Sequence, residues 1–118
     1  MTTEFQKLGR LKKRFEFLYV ANRNGKSLYA ARPNLIVQTR KHETRKDGIK
    51  CGFTATKKIG NAVVRNRAKR RLRHCAHTLL SRLGKPGYDY VFIARNTTVS
   101  ADWDDLLKDV EKALLRLQ

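Results

Sequence analysis

Acidic residues are scarce in this chain. Ten Asp and Glu stand against 27 Lys and Arg over 118 residues, and none falls between Gly48 and Tyr88. Cysteine is nearly absent: Cys51 and Cys75 are isolated, without CxxC spacing. That excludes a cysteine zinc site and fits two free thiols in a reducing cytoplasm. No run of eighteen apolar residues exists, so no membrane span is expected. The segment MTTEFQKLGRLKKR lacks the apolar core of a secretory signal. No HExxH, GxSxG, P-loop or paired-carboxylate pattern occurs. Of the three histidines, His74 and His77 share helical spacing but lack a third ligand. The cluster Asp102, Asp104 and Asp105 is accounted for by a helix N-terminus. The polypeptide therefore carries no nucleolytic site of its own.

What is present is cationic charge, unevenly placed. Net charge is +17, with a pI of about 10.6. Residues 1–88 are net +19 and residues 89–118 are net −2. The run KKIGNAVVRNRAKRRLRH, residues 57–74, holds eight Lys and Arg in eighteen positions. Such density repels itself inside a folded domain, and a polyanion relieves the repulsion. A phosphate backbone suits this best, because each Lys or Arg contact releases condensed counterions.

The length and patterning fit one domain spanning 1–118, with residues 1–9 loose. From Leu11 to Ala21, apolar residues at Leu11, Phe15 and Leu18 predict a helix with that face buried. Asn22-Arg23-Asn24-Gly25 predicts its stop and a turn. Ser27–Ala31 and Asn34–Arg40 read as extended chain interrupted at Pro33, which favours an edge. Lys50–Thr56 alternates Cys51, Phe53 and Ala55 against smaller or polar residues, the period of a half-buried strand. These three segments predict an antiparallel meander. Gly60 or Asn61 opens a helix to Leu83, with a core stripe at Val64, Ala68, Leu72, Cys75, Leu79 and Leu83. Tyr88–Arg95 is a near-continuous apolar run, as in a central strand. Asp102–Leu117 is an amphipathic helix with Trp103, Leu106, Leu107, Val110, Leu114 and Leu117 on one face. The fold class is α+β, with a small, mostly antiparallel sheet packed by helices in the order α-β-β-β-α-β-α.

On the 61–83 helix each residue advances about 100°. Arg65, Lys69 and Arg73 form one row beside the apolar stripe, while Arg67, Arg70, Arg71 and His74 cover the remaining exposed surface. Like charges four apart destabilise a helix by about 0.2–0.5 kcal/mol per pair. No glutamate interrupts the row, so an anionic ligand is expected. Asn66 adds a neutral group able to reach a base edge or a 2′-hydroxyl. Lys57 and Lys58 lie at the helix start, where free amides favour phosphate. A bare solvated basic face is the plainer reading, and the 41 acid-free residues weigh against it. The helix alone does not choose between RNA and DNA. No zipper, zinc pattern or helix-turn-helix signature supports a DNA reader.

The stretch TKKIGNAVVRNRAKRRLRH, residues 56–74, resembles the signature of the bacterial ribonuclease P protein subunits. The Arg65-Asn66-Arg67 core, Lys69-Arg70 and Arg73 match it position by position. The resemblance extends to RLKKRFEF at 10–17, GFTATKKIGNAV before the helix, and YVFIAR at 90–95. It implies a fold like the second domain of ribosomal protein S5, with a left-handed βαβ crossover. It also implies the function of a protein cofactor of ribonuclease P. There the partner RNA subunit is catalytic and uses bound Mg2+ to remove the 5′ leader of precursor tRNA. No DNA partner is implied. By position, Arg65, Asn66, Arg67, Lys69, Arg70 and Arg73 would contact that RNA. A cleft between the first helix and the sheet would hold the unpaired leader, with Phe17, Lys57, Lys58 and Arg95 lining it. Two positions depart from the family pattern: aromatics common in that cleft are replaced by Ala21 and Gln38, with Tyr19 or Tyr29 as substitutes. A ribosomal RNA-binding module and a sequence-specific DNA binder stand as the alternative classes.

Overall fold

Tyr88–Ala94 is buried at nearly every position because it is the middle strand of five. The computed structural model describes residues 8–22 and 26–118. The elements are β1 (Leu8–Arg10), α1 (Arg14–Ala21), β2 (Leu28–Arg32), β3 (Leu35–Lys41), β4 (Ile49–Thr54), a single 3-10 turn (Lys57–Ile59), α2 (Ala62–Leu83), β5 (Tyr88–Ala94) and α3 (Trp103–Arg116). The sheet order is β1-β4-β5-β3-β2. β5 runs antiparallel to β3, which pairs antiparallel with β2 through the two-residue Pro33-Asn34 connection. On its other side β5 runs parallel to β4, and β4 runs parallel to β1. The longest ladder, between β3 and β5, is antiparallel. Two parallel neighbours need a crossover, and α2 supplies it between β4 and β5.

The alternation along β5 separates two layers of packing. Tyr90, Phe92 and Ala94 face the main core with Leu35, Val37, Ile49, Cys51 and the buried stripes of α2 and α3. Val91 faces the other way, into a smaller cluster with Leu11 and Val20, against which Phe17, Tyr19 and Ile93 pack. Thus α2 and α3 cover one face of the sheet, and α1 covers part of the other. Leu72, Leu80, Leu106 and Leu114 are essentially fully buried, each contributing about 1.5–3 kcal/mol relative to exposure.

Four expectations change. The meander does not form, because β5 inserts between β3 and β4. Parallel pairing is a long-range choice that local alternation does not encode. Leu8 and Gly9, expected to be loose, lie in β1 against Ile49 and Lys50, while residues 1–7 lie outside the described residues. The helix stop at Asn22 holds, since α1 ends at Ala21; residues 23–25 of that turn also lie outside the described residues.

The third change is the buried face of α1. The helix begins at Arg14, so Leu11 precedes it in extended chain and donates its amide to the Cys51 carbonyl at 3.0 Å. The phase set by Leu11 is therefore lost. Val20 is fully buried and Phe17 half-buried, whereas Phe15 and Leu18 are 67% and 54% exposed. The Glu16 carboxylate fixes the start by accepting from the amides of Lys12 and Lys13 at 2.8 and 2.9 Å. These bonds, with Lys13 foremost, hold its carboxyl below the usual carboxylate range.

The fourth change is at the start of α3. Trp103, expected on the buried face, is 40% exposed because it is the first helical residue. Asp102 occupies the N-cap position without a side-chain cap bond, and Asp104 and Asp105 fill the first turn. Their stabilisation is through the helix dipole. Further along, buried Asp109 accepts from the Asn34 amide at 3.1 Å and faces Arg32 Nε at 3.5 Å. This fastens the β2–β3 hairpin to α3.

Candidate nucleic-acid interface

Helix α2 starts where Asn61 Oδ1 accepts from the Val64 amide at 3.0 Å. Gly60 before it has φ +149, a conformation that L side chains rarely adopt. From this fixed start the apolar stripe from Ala68 to Leu83 turns inward, while Val64, expected on that stripe, is only half-buried because it lies in the first turn. The opposite arc then points away from the sheet. Asn66, Arg67 and Arg70 are exposed, and Arg65, Lys69 and Arg73 are partly exposed beside the stripe. Among the described residues, no acidic side chain pairs with any of these five cations. Arg73 lies with its guanidinium 5.6 Å from the Phe53 ring centre, and its buried Nε has no hydrogen-bond partner.

Arg71 behaves differently from its neighbours. Its Nη1 donates to the carbonyls of Thr98 and Val99 at 2.7 and 2.5 Å, and its Nη2 to Ala101 at 2.7 Å. The expectation that it covers exposed surface is corrected: it clamps the segment between β5 and α3. Arg70 and Arg71 are adjacent in sequence, yet one faces solvent and the other holds the fold. Only the position of the α3 approach, invisible to sequence periodicity, separates them.

The residues expected around a cleft sit on and around the opposite face. Phe17 lies over Gly52 on the α1 side of the sheet. Lys57 and Lys58 are exposed on the 3-10 turn just past β4. Arg95 follows β5 and donates from Nη1 to the Arg32 carbonyl at 3.3 Å. Because Thr54 registers with Ile93, these three cations share the end of the sheet where the parallel strands finish. Ile36, Gln38, Thr54 and Ile93 are only partly covered there. Ala21, Tyr29 and Gln38, with Val20, Ser27 and Leu28, line one small depression. Tyr19 is held on the other flank: its hydroxyl donates to the Lys41 carbonyl at 2.8 Å, and the Arg40 guanidinium lies 3.9 Å from its ring centre.

Burial pushes the Cys51 thiol up to about 11 and the Cys75 thiol up to about 12, so neither is a thiolate nucleophile near neutral pH. Among the described residues, no three His, Cys, Asp or Glu side chains gather as metal ligands. The described side chains do not fit a protein-held magnesium ion. No described helix is long and apolar enough to cross a membrane.

The class is a small α+β domain in which one helix face carries five cations that meet no acidic side chain among the described residues. Comparisons with known proteins place it further. The ribonuclease P family model matches residues 5–118. The ribonuclease P protein component of Caulobacter vibrioides is 46% identical over 111 residues, covering 94% of this chain and 72% of that protein. The component from Ruegeria pomeroyi is also 46% identical, covering 91% and 84%. The ribonuclease P protein of Thermotoga maritima superimposes with a TM-score of 0.75 at 22% identity, covering 92% of this chain and 97% of that one. A Staphylococcus aureus ribonuclease P protein mutant gives 0.76 at 23% identity, covering 92% and 86%; at these identities the likeness speaks for the fold alone. The chain belongs to the ribonuclease P protein family, the protein components of a ribonucleoprotein endoribonuclease that processes tRNA.

Proposed function

We propose that the exposed face of α2 grips the catalytic RNA of ribonuclease P, while the α1 side of the sheet holds the 5′ leader of precursor tRNA. The observation that carries this reading is the set Arg65, Arg67, Lys69, Arg70 and Arg73, without acidic partners among the described residues. Phosphates of a folded RNA supply the missing counter-charge, and Asn66 adds a hydrogen-bonding group among the arginines. On the other face, Phe17 offers ring surface to an unpaired base, and Lys57, Lys58 and Arg95 take adjacent phosphates. The depression at Ala21, Tyr29 and Gln38 extends that path. Hydrolysis of the phosphodiester belongs to the RNA subunit and its Mg2+ ions. The protein neutralises phosphate charge, which lowers the magnesium concentration needed to bring two RNAs together. Its setting is the cytoplasm, and the whole chain acts as one domain.

The test is reconstitution. At low magnesium, adding the protein to a bacterial ribonuclease P RNA should raise the rate of 5′ cleavage of precursor tRNA above that of RNA alone. No gain, together with tight binding to ribosomal RNA, would instead assign a ribosomal RNA-binding role. Preference for one DNA duplex over single strands and RNA would assign a DNA reader.

A further inference from the structure

Phe15 is a phenyl ring two residues from Phe17, yet it is 67% exposed. Two residues along a helix turn the side chain through roughly 200°. Phe17 points to the sheet, so Phe15 points to the outer flank of α1. Two concavities adjoin there. One of about 160 Å³ is lined by Phe15, Glu16, Tyr19 and Lys50 together with the 42–45 turn and Asp89. The other, about 440 Å³, is lined by Arg10, Lys12, Lys13, Phe15, Glu16 and Lys50. Phe15, Glu16 and Lys50 are common to both, which makes a continuous groove.

The charges select the occupant. Glu16 is the one acid in the larger concavity. Its Oε1 is already spent on two backbone amides, and Lys50 Nζ stands a loose 3.9 Å from its Oε2. Lys12 and Lys13 are exposed and form no ion pair with a described acid. In the smaller concavity Asp89 is neutralised by Arg45 at 2.6 Å, while exposed Glu43 has no ion pair with a described cation, so the phosphates are placed along the larger, lysine-lined concavity. The combination of an open aromatic ring with cations spaced along a groove is that of single-stranded nucleic-acid sites. A protein partner for the Phe15 and Leu18 surface would meet these same lysines as unpaired charges.

We infer that the outer flank of α1 is a second path for unpaired RNA, with one base stacked on Phe15 and phosphates on Lys12, Lys13 and Lys50. This rests on the RNA-binding reading above, but it is read out without the catalytic RNA. The unpaired strand has two sources: leader that continues beyond the Phe17 cleft, or a loop of the catalytic RNA.

The experiment measures fluorescence anisotropy of a labelled 12-nucleotide oligouridine with the full chain. Phe15→Ala, made in wild-type and Phe17→Ala backgrounds, should weaken binding about five-fold or more, the low end of one base-stacking contact. Phe15→Tyr should keep it. Thermal unfolding checks that the variants fold, as expected for so exposed a position. In reconstituted enzyme, loss confined to long-leader substrates identifies the leader as the source. Loss in affinity for the RNA subunit alone identifies the loop. Binding within two-fold of wild type for Phe15→Ala would overturn the inference, as would equal losses for Phe15→Ala and Phe15→Tyr. Self-association in sedimentation that disappears with Phe15→Ala would overturn it in favour of a second copy of the chain. Failure of cleavage stimulation with Phe15-dependent binding intact would remove the proposed function and leave this path standing.

Discussion

Phe17 rests so closely on Gly52 that a β-carbon at position 52 would lie 2.5 Å from the ring. This contact sets the distance of α1 from the sheet. Gly52→Ala should push the ring and its helix outward. Overpacking of this kind costs about 1–3 kcal/mol, measurable as a lower urea midpoint with little change in slope. It should also disturb long-leader substrates more than leaderless ones. An unchanged midpoint would mean that α1 floats over the sheet.

Arg71 and Arg67 lie one helical turn apart and should give opposite results. Arg71→Ala removes three hydrogen bonds to the 98–101 segment. The site is partly exposed, so water recovers some of the loss, leaving a destabilisation on the order of 2 kcal/mol. RNA affinity should change little once folding is allowed for. Arg67→Ala should leave the unfolding curve nearly unmoved and weaken RNA binding. Urea titration beside filter binding separates the two.

Salt dependence counts the phosphate contacts. Plotting log affinity for the RNA subunit against log salt gives a slope of about −0.7 to −0.9 per neutralised phosphate. Arg65→Ala, Arg67→Ala and Arg70→Ala should each reduce that slope by about one contact. Arg82→Ala is the control, because Arg82 lies near Glu111 at 3.6 Å in the last turn of α2. A slope equally reduced by Arg82→Ala would show that general charge, and not this face, binds RNA.

Glu16 links acid stability to α1. Its folded carboxyl is held below the ordinary value of 4.5 by the Lys13 and Lys12 amides. A group depressed on folding stabilises the fold above its unfolded pKa, and that contribution is lost as pH falls through the folded value. Stability should therefore decline below about pH 4.5, and Glu16→Gln should remove this part of the decline. Equilibrium unfolding of both proteins between pH 3 and 6 checks it.

How much of this was legible in the sequence differs from element to element. The buried stripe of α2 and the central strand β5 follow from spacing alone, because both are long and their burial is one-sided or complete. The face of α1 does not. Eight residues give barely two turns, and Leu11 supplied a false phase by lying just outside the helix. The inward turn of Arg71 and the parallel strand β1 depend on partners far away in sequence, and no local pattern announces either. Among the candidate site residues, the α2 set stands out in the sequence because charge without counter-charge is visible in composition. The exposure of Phe15 was not legible because an aromatic at helical spacing from Leu11 reads as core; its distance of two from Phe17 was the available signal.

The alternation Tyr90-Val91-Phe92 along β5 has a further consequence. Because successive residues of one strand serve opposite faces, the sheet works as a partition. In the proposed arrangement, a ligand on α2 and a ligand beside α1 share no side chain. Substitutions at distant sites without shared partners combine additively, within about 0.3–0.5 kcal/mol. If both proposed sites hold, the domain is a two-sided adaptor whose sides are able to drift independently. Substitutions on the α1 side, at Ala21 or Gln38 for instance, would then leave binding on the α2 side unchanged.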